Sequence, residues 1–230
     1  EVKRKNVLFG ALICVVIVLV VIGLLAGVSH RIKRDVITAQ INPGQPVVAL
    51  TFDDGPNAHY TPQVLDILYE QQVPATFFLI GEKFTGNELL IREILQVGMK
   101  SGINLLPPDL TQLDSRKIQW EIQQTEEKLK EILPDYPMKY VRPPYGRYTQ
   151  DVQKAIGLPL VLWTIDSVIG KLRMQKNLHR PYQQGTGWDI IVFHDDNAQT
   201  VKSLEKIILE LKKRGFQFAT VSQLYEYESK

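Results

Sequence analysis

The sequence predicts an α/β fold in which a parallel sheet closes toward a barrel. Two observations predict it. Short, continuous apolar runs, as expected of strands buried on both faces, alternate with longer segments whose apolar residues recur at helical spacing. Polar groups also fall just after those runs, at Asp53, Asp54, Arg142, Asp166 and His194. In barrels of this architecture functional groups gather at the C-terminal ends of the strands, so the placement predicts one shared pocket.

Each element has its own signal. Val47–Phe52 is a strand with little polar alternation. Thr61–Gln72 follows as a helix, with Val64, Leu65 and Leu68 on one side. Ala75–Ile80, ATFFLI, is the second strand, and Asn87–Val97 is a helix striped by Leu90, Ile91, Ile94 and Leu95. Asp114 supplies an N-cap for a helix carrying Ile118, Ile122, Leu129 and Ile132, which Pro134 stops. Tyr140–Val141 leads into RPPYG, Arg142 to Gly146. Leu160–Ile165, LVLWTI, and Ile190–Phe193 read as two more strands. Ala198–Arg214 is the clearest helix: Val201, Leu204, Ile208 and Leu211 share a face, Lys212, Lys213 and Arg214 suit its C-terminal dipole, and Gly215 terminates it. Phe216–Thr220 is the last strand. No internal repeat or low-complexity segment interrupts the pattern.

The chain has 230 residues, 44% of them hydrophobic, enough to bury one substantial core. The net charge of +2 and the lack of a long basic block argue against nucleic acid as a partner. Cys14 is the single cysteine, so no intrachain disulfide forms. Val7 to Val28 is an uncharged run of Val, Ile and Leu without a polar face. As a helix it is roughly 33 Å long, enough to cross a bilayer core of about 30 Å. The predicted organisation is a short tail over 1–6, a transmembrane signal-anchor helix over 7–28, a juxtamembrane linker over 29–43 and a catalytic-type domain over 44–230. Lys3, Arg4 and Lys5 before the span are matched by Arg31, Lys33 and Arg34 after it, so charge alone does not orient it.

Asp-Gly and Gly-Pro form turns, so DDGP alone reads as a turn after a strand. It does not stand alone. VVALTFDDGP (Val47–Pro56), PATFFLIG (Pro74–Gly81), RPPYG, LWTIDS (Leu162–Ser167), DIIVFHD (Asp189–Asp195) and GFQFATVSQL (Gly215–Leu224) follow in order. Together they resemble the polysaccharide deacetylase family, the NodB-homology or carbohydrate esterase 4 domain, over roughly residues 45 to 227. The resemblance implies a distorted (β/α)7 barrel and metal-assisted hydrolysis of an N-acetyl group on a sugar. In that scheme Asp53 matches the general base, Asp54 the carboxylate metal ligand and His194 the general acid. Arg142 would orient Asp53, and the backbone N–H of Tyr145 would stabilise the oxyanion. Trp163 would wall the sugar pocket, with Pro143 and Asp166 also on the substrate side. Ordinary structural roles compete with these: a strand-end histidine for His194, a structural ion pair for Arg142, a core aromatic for Trp163.

The family binds zinc or another divalent metal through a His-x-x-x-His pair, and this sequence lacks it. The matching segment is SGINLLPPDLTQL, Ser101 to Leu113. Aligning PDLTQL with the family puts Ile103 and Pro107 at the histidine positions; a shift of one puts Asn104 and Pro108 there. A zinc site needs about three protein ligands, and Asp54 alone gives weak, hydrated binding. His59 could reach the pocket rim; His30 lies beside the span and His179 in a loop. A second departure follows Asp166-Ser167, where Val168-Ile169-Gly170 replace the family's further Asp and Trp. The expectation is a membrane-anchored domain, outside the cell, that binds cell-wall glycan (peptidoglycan or chitin-like) or a protein partner, with metal binding weak or absent and deacetylation impaired or lost. The alternative is an active N-acetylglucosamine deacetylase with a non-standard metal site.

Overall fold

The structure is a computed structural model. It describes residues 17, 37, 41–96, 100–104, 109–167 and 188–228. The predicted transmembrane span over 7–28 lies outside these residues apart from Ile17, as do Pro107, Pro108, His30 and His179. No helix among the described residues is long and apolar enough to cross a membrane. Residues 36–230 form one compact unit, and residues 1–35 are a separate one.

Seven strands are described: β1 (Val47–Asp53), β2 (Ala75–Leu79), β3 (Lys100–Asn104), β4 (Val141–Arg142), β5 (Ile165–Asp166), β6 (Trp188–His194) and β7 (Gln217–Phe218). Six α-helices accompany them: α1 (Thr61–Glu70), α2 (Glu88–Gln96), α3 (Ser115–Ile132), α4 (Gln150–Ile156), α5 (Ala198–Lys213) and α6 (Val221–Glu228). The sheet order is β4-β3-β2-β1-β6-β5, and every pairing is parallel. The short β7 pairs with the start of β1, at Val47 and Val48, while β2 takes the end of β1 from Leu50 onward.

The predicted strand Leu160–Ile165 is corrected. Leu160 makes only an isolated bridge to Val141, and pairing resumes at Ile165, which faces Ile191 of β6. Between them the carbonyls of Val161 and Leu162 accept from the Arg142 side chain, so they serve a guanidinium and not a ladder. One segment, Leu160–Asp166, therefore joins the β4 edge to the β5–β6 edge, and this closes the ring. Phe216–Thr220 is likewise shorter than predicted, since only Gln217–Phe218 pairs.

β1 shows how the sequence builds the pocket. Its seven residues are all buried. Val48, Leu50 and Phe52 join the large core with Leu65 and Leu68 of α1 and Leu204 and Ile208 of α5. Phe52 stacks between Phe77 and Phe193 at 4.9 and 5.4 Å. Each such fully buried side chain contributes roughly 1.5–3 kcal/mol of transfer free energy. The alternate residues face the other way. Val47 and Ala49 pack with Phe78, Val161 and Ile190, whereas Thr51 and Asp53 meet Arg142. Along that face the lining thus changes from apolar to polar toward the C-terminal end.

Three helices start at side-chain caps, Asp114 among them as predicted. Asp114 accepts from Lys117 N–H, Asn197 from Gln199 and Thr200 N–H, and Thr149 from Val152 N–H. Gly215, at φ +80°, ends α5 as expected.

Candidate functional site

Parallel pairing in register sets Asp53 beside His194, and Asn104 beside Arg142. Asp53, Asp54, Arg142 and His194 are thereby brought to one end of the sheet. Arg142 is fully buried. Its Nη1 donates to Asp53 Oδ1 at 2.5 Å and to Thr51 Oγ1 at 2.9 Å, and its Nε donates to Val161 O at 3.1 Å. The guanidinium lies 3.9 Å over the Phe78 ring and 5.6 Å from the Trp163 ring. Hydrogen-bonded at three nitrogens, it holds the Asp53 carboxylate in a single orientation.

Burial pushes the Asp53 carboxyl from its ordinary value of 3.8 up to about 6, against the opposing pull of Arg142 and His194. A carboxylate with that value is suited to accept a proton near neutral pH. Asp54 is half-buried, and its Oδ2 stands 4.0 Å from His194 Nε2. Its backbone is left-handed, at φ +69°, a conformation a non-glycine residue holds only when its surroundings enforce it.

The enforcement is visible in the turn. Asp53 O accepts from Asp195 N–H at 3.1 Å, Asp54 O from Lys83 Nζ at 2.6 Å and Gly55 O from Ile80 N–H at 2.8 Å. Three consecutive carbonyls are thus tied to residues after β6, after β2 and at the end of β2. Below them lies Asp195, whose carboxyl burial pushes up to about 7. Its Oδ2 accepts from Thr61 Oγ1, and its Oδ1 has no hydrogen-bond partner among the described residues. Sequence reasoning missed Asp195, Thr61 and Lys83. The signal for the first was available in retrospect only as the acidic residue immediately after the strand-end histidine.

The remaining predicted residues fall on the rim or beneath it. Tyr145 is 66% exposed, at φ +58°, and no described residue accepts its N–H. Trp163 is half-buried against Gly146, where an added Cβ would lie 3.3 Å from its ring. Pro143 is buried and shapes the turn, its carbonyl accepting Gly146 N–H at 3.0 Å. Asp166 is exposed and pairs in register with Val192, and no hydrogen bond joins it to His194. His59 is exposed, its ring edge-on to Tyr60 at 4.6 Å.

Residues 40–160 match the sequence model of the polysaccharide deacetylase family. This chain belongs to that family. It is 33% identical to the peptidoglycan-N-acetylglucosamine deacetylase PgdA of Listeria monocytogenes over 77% of its own length, although it spans only 38% of that relative. It superimposes on the peptidoglycan deacetylase PdaC of Bacillus subtilis with a TM-score of 0.71 at 32% identity, covering 82% of this chain and 94% of the other. A BA3943 mutant, described as a CE4 family pseudoenzyme with restored enzymatic activity, matches at a TM-score of 0.66 and 26% identity, over 80% and 68% of the two chains.

Polysaccharide deacetylases are generally metal-dependent, so the donor set bears on whether this member suits zinc. Among the described residues that set is short of three ligands. Beside the Asp54 carboxylate the described residues offer the His194 imidazole at 4.0 Å, and no three His, Cys, Asp or Glu side chains converge there or elsewhere. At the end of β3 stand Ile103 and Asn104. An alkyl chain has no donor atom, and a neutral amide oxygen is a poor zinc ligand.

Proposed function

We propose that this chain is a membrane-anchored, polysaccharide deacetylase-like protein that binds N-acetylated cell-wall glycan and has lost metal-dependent N-deacetylation. The observation that carries this reading is the end of β3. It lies in register with Arg142 at the mouth of the pocket, and it bears Ile103 and Asn104 where the family places its first metal histidine. The acid–base pair, the arginine and the aromatic wall persist around that gap, as expected of a retained sugar-binding cleft. A structural neighbour described as a pseudoenzyme supports the same reading. In this reading the glycan is peptidoglycan or a chitin-like polymer, as the substrates named for the relatives suggest. Residues 7–28 anchor the chain, and the domain over 44–230 faces the cell wall.

Two measurements test it. Isothermal titration with zinc is expected to show no binding as tight as micromolar, and tight binding would refute the proposal. Acetate release from N-acetylglucosamine oligomers or peptidoglycan is expected not to exceed that of an Asp53→Asn control.

A second reading is favoured by one observation: Asp53, raised to about 6, lies beside a strand-end histidine in an intact buried network. It is a working N-acetylglucosamine deacetylase that hydrolyses the amide by another route. Asp53 then accepts the proton of the attacking water and His194 delivers one to the departing amine. Chelator-resistant acetate release, abolished by Asp53→Asn, would establish it over the first.

A further inference from the structure

Asp195 lies beneath the pocket, fully buried at the turn that follows β6. Its Oδ2 takes the hydroxyl hydrogen of Thr61, the first residue of α1. The same hydroxyl oxygen accepts the Asn57 N–H at 2.8 Å. The Thr61 hydroxyl thus accepts from Asn57 with one lone pair and donates its single hydrogen to the ionised Asp195 carboxylate. Both carboxylate oxygens also lie against the backbone of Gly55, where an added Cβ would overlap them. The Asp195 N–H meanwhile holds Asp53 O. One residue therefore grips the catalytic-type turn at Asp53 and at Gly55, and through Thr61 at Asn57.

A carboxylate with one orphaned oxygen is an expensive way to fill a core, and an apolar side chain would avoid the cost. Its contacts all converge on the segment that displays Asp53 and Asp54. We propose that Asp195 is a positioning residue which, with Thr61, fixes the Asp53–Gly55 turn so that both carboxylates meet an N-acetylated sugar in register with His194. The inference rests on the glycan-binding reading above.

The test compares Thr61→Val, which keeps the shape and removes the hydroxyl, with Thr61→Ser, which keeps the hydroxyl, and with Asp195→Asn, all in the full chain. Two quantities are read: amide hydrogen exchange, and affinity for the tetramer of N-acetylglucosamine. In Thr61→Val and Asp195→Asn the Ile80 and Asp195 amides, which hold Gly55 O and Asp53 O, are expected to exchange about tenfold faster, with affinity falling by a similar factor. Thr61→Ser is expected to restore both. Unchanged exchange at those two amides overturns the proposal, as does a uniform rise across β1 and β6, which marks a merely structural role. Faster local exchange with wild-type affinity also overturns it. If the wild type binds no tetramer while the local exchange effect appears, the glycan reading fails and the positioning of the turn stands.

Discussion

Arg142 sets the charge balance of the pocket. It is buried with Asp53, and its guanidinium makes four hydrogen bonds, to a carboxylate, a hydroxyl and two carbonyls. Removing one partner of a buried pair costs about 3–5 kcal/mol, because the other is left charged without compensation. Arg142→Met is therefore expected to lose about 3 kcal/mol of unfolding free energy near neutral pH. The loss shrinks near pH 4, where Asp53, raised to about 6, carries a proton and needs no partner. Urea denaturation at the two pH values measures both. Asp195 gives the complementary pH dependence. Its carboxyl is pushed by burial from 3.8 to about 7, with Thr61 opposing and Asp196 and Asp53 adding slightly. Between those values the native state binds a proton that the unfolded state does not. The associated stability is fully present below 3.8 and is lost as pH rises through 7, at about 1.4 kcal/mol per pH unit. In Asp195→Asn the slope of thermal unfolding between about pH 4 and 7 is expected to fall by about that amount, the contribution of Asp53 up to about 6 remaining, and equal slopes in both proteins would contradict the burial effect. At this scale Asp53, Asp54, Arg142 and His194 were legible because their types and order are distinctive. Asp195 was not, because an aspartate after a strand reads as a turn residue until its burial is known.

β3 is the element that sequence periodicity could not find. KSGIN holds two polar residues, a glycine and an asparagine, all poor strand formers, and it is a strand because β2 and β4 pair with it. Gly102 is there for space, not for backbone freedom. A Cβ would lie 2.5 Å from Phe78 Cε1 and 3.1 Å from Tyr140 O, and the same Phe78 ring carries the Arg142 guanidinium. Gly102→Ala should drive the ring toward Arg142, an overpacking that costs about 1–3 kcal/mol in denaturant unfolding. Wild-type stability would mean that the ring has room to move. The end of this strand also carries the metal question. Introducing Ile103→His with Pro107→His, or Asn104→His with Pro108→His, is expected to create zinc affinity in only one register, since the two pairings with the family motif are mutually exclusive. Isothermal titration of both double variants decides it, and silence from both would mean that the segment is misplaced. LVLWTI erred in the opposite sense: its residues are strong strand formers, but a side chain from β4 claims their carbonyls, which a local reading cannot foresee.

On the scale of the whole molecule, the apolar lining that stabilises the barrel lies within residues 36–230, a compact unit separate from residues 1–35. Residues 7–28 contribute an uncharged stretch with no polar face, which a water-soluble helix would need. As a helix their length of roughly 33 Å matches a bilayer core, and in the proposed reading anchoring and glycan binding separate by segment. Two measurements follow from that separation. The segment 36–230, expressed alone, should unfold at the same denaturant midpoint as the full chain, because the described core lies within it. In cell fractionation the full chain should sediment with membranes and resist extraction by salt, whereas 36–230 should stay in the supernatant and retain the glycan affinity of the full chain. A lowered midpoint for 36–230 would show that the amino-terminal segment packs on the barrel, and a full chain that remains soluble would remove the anchor from the proposal.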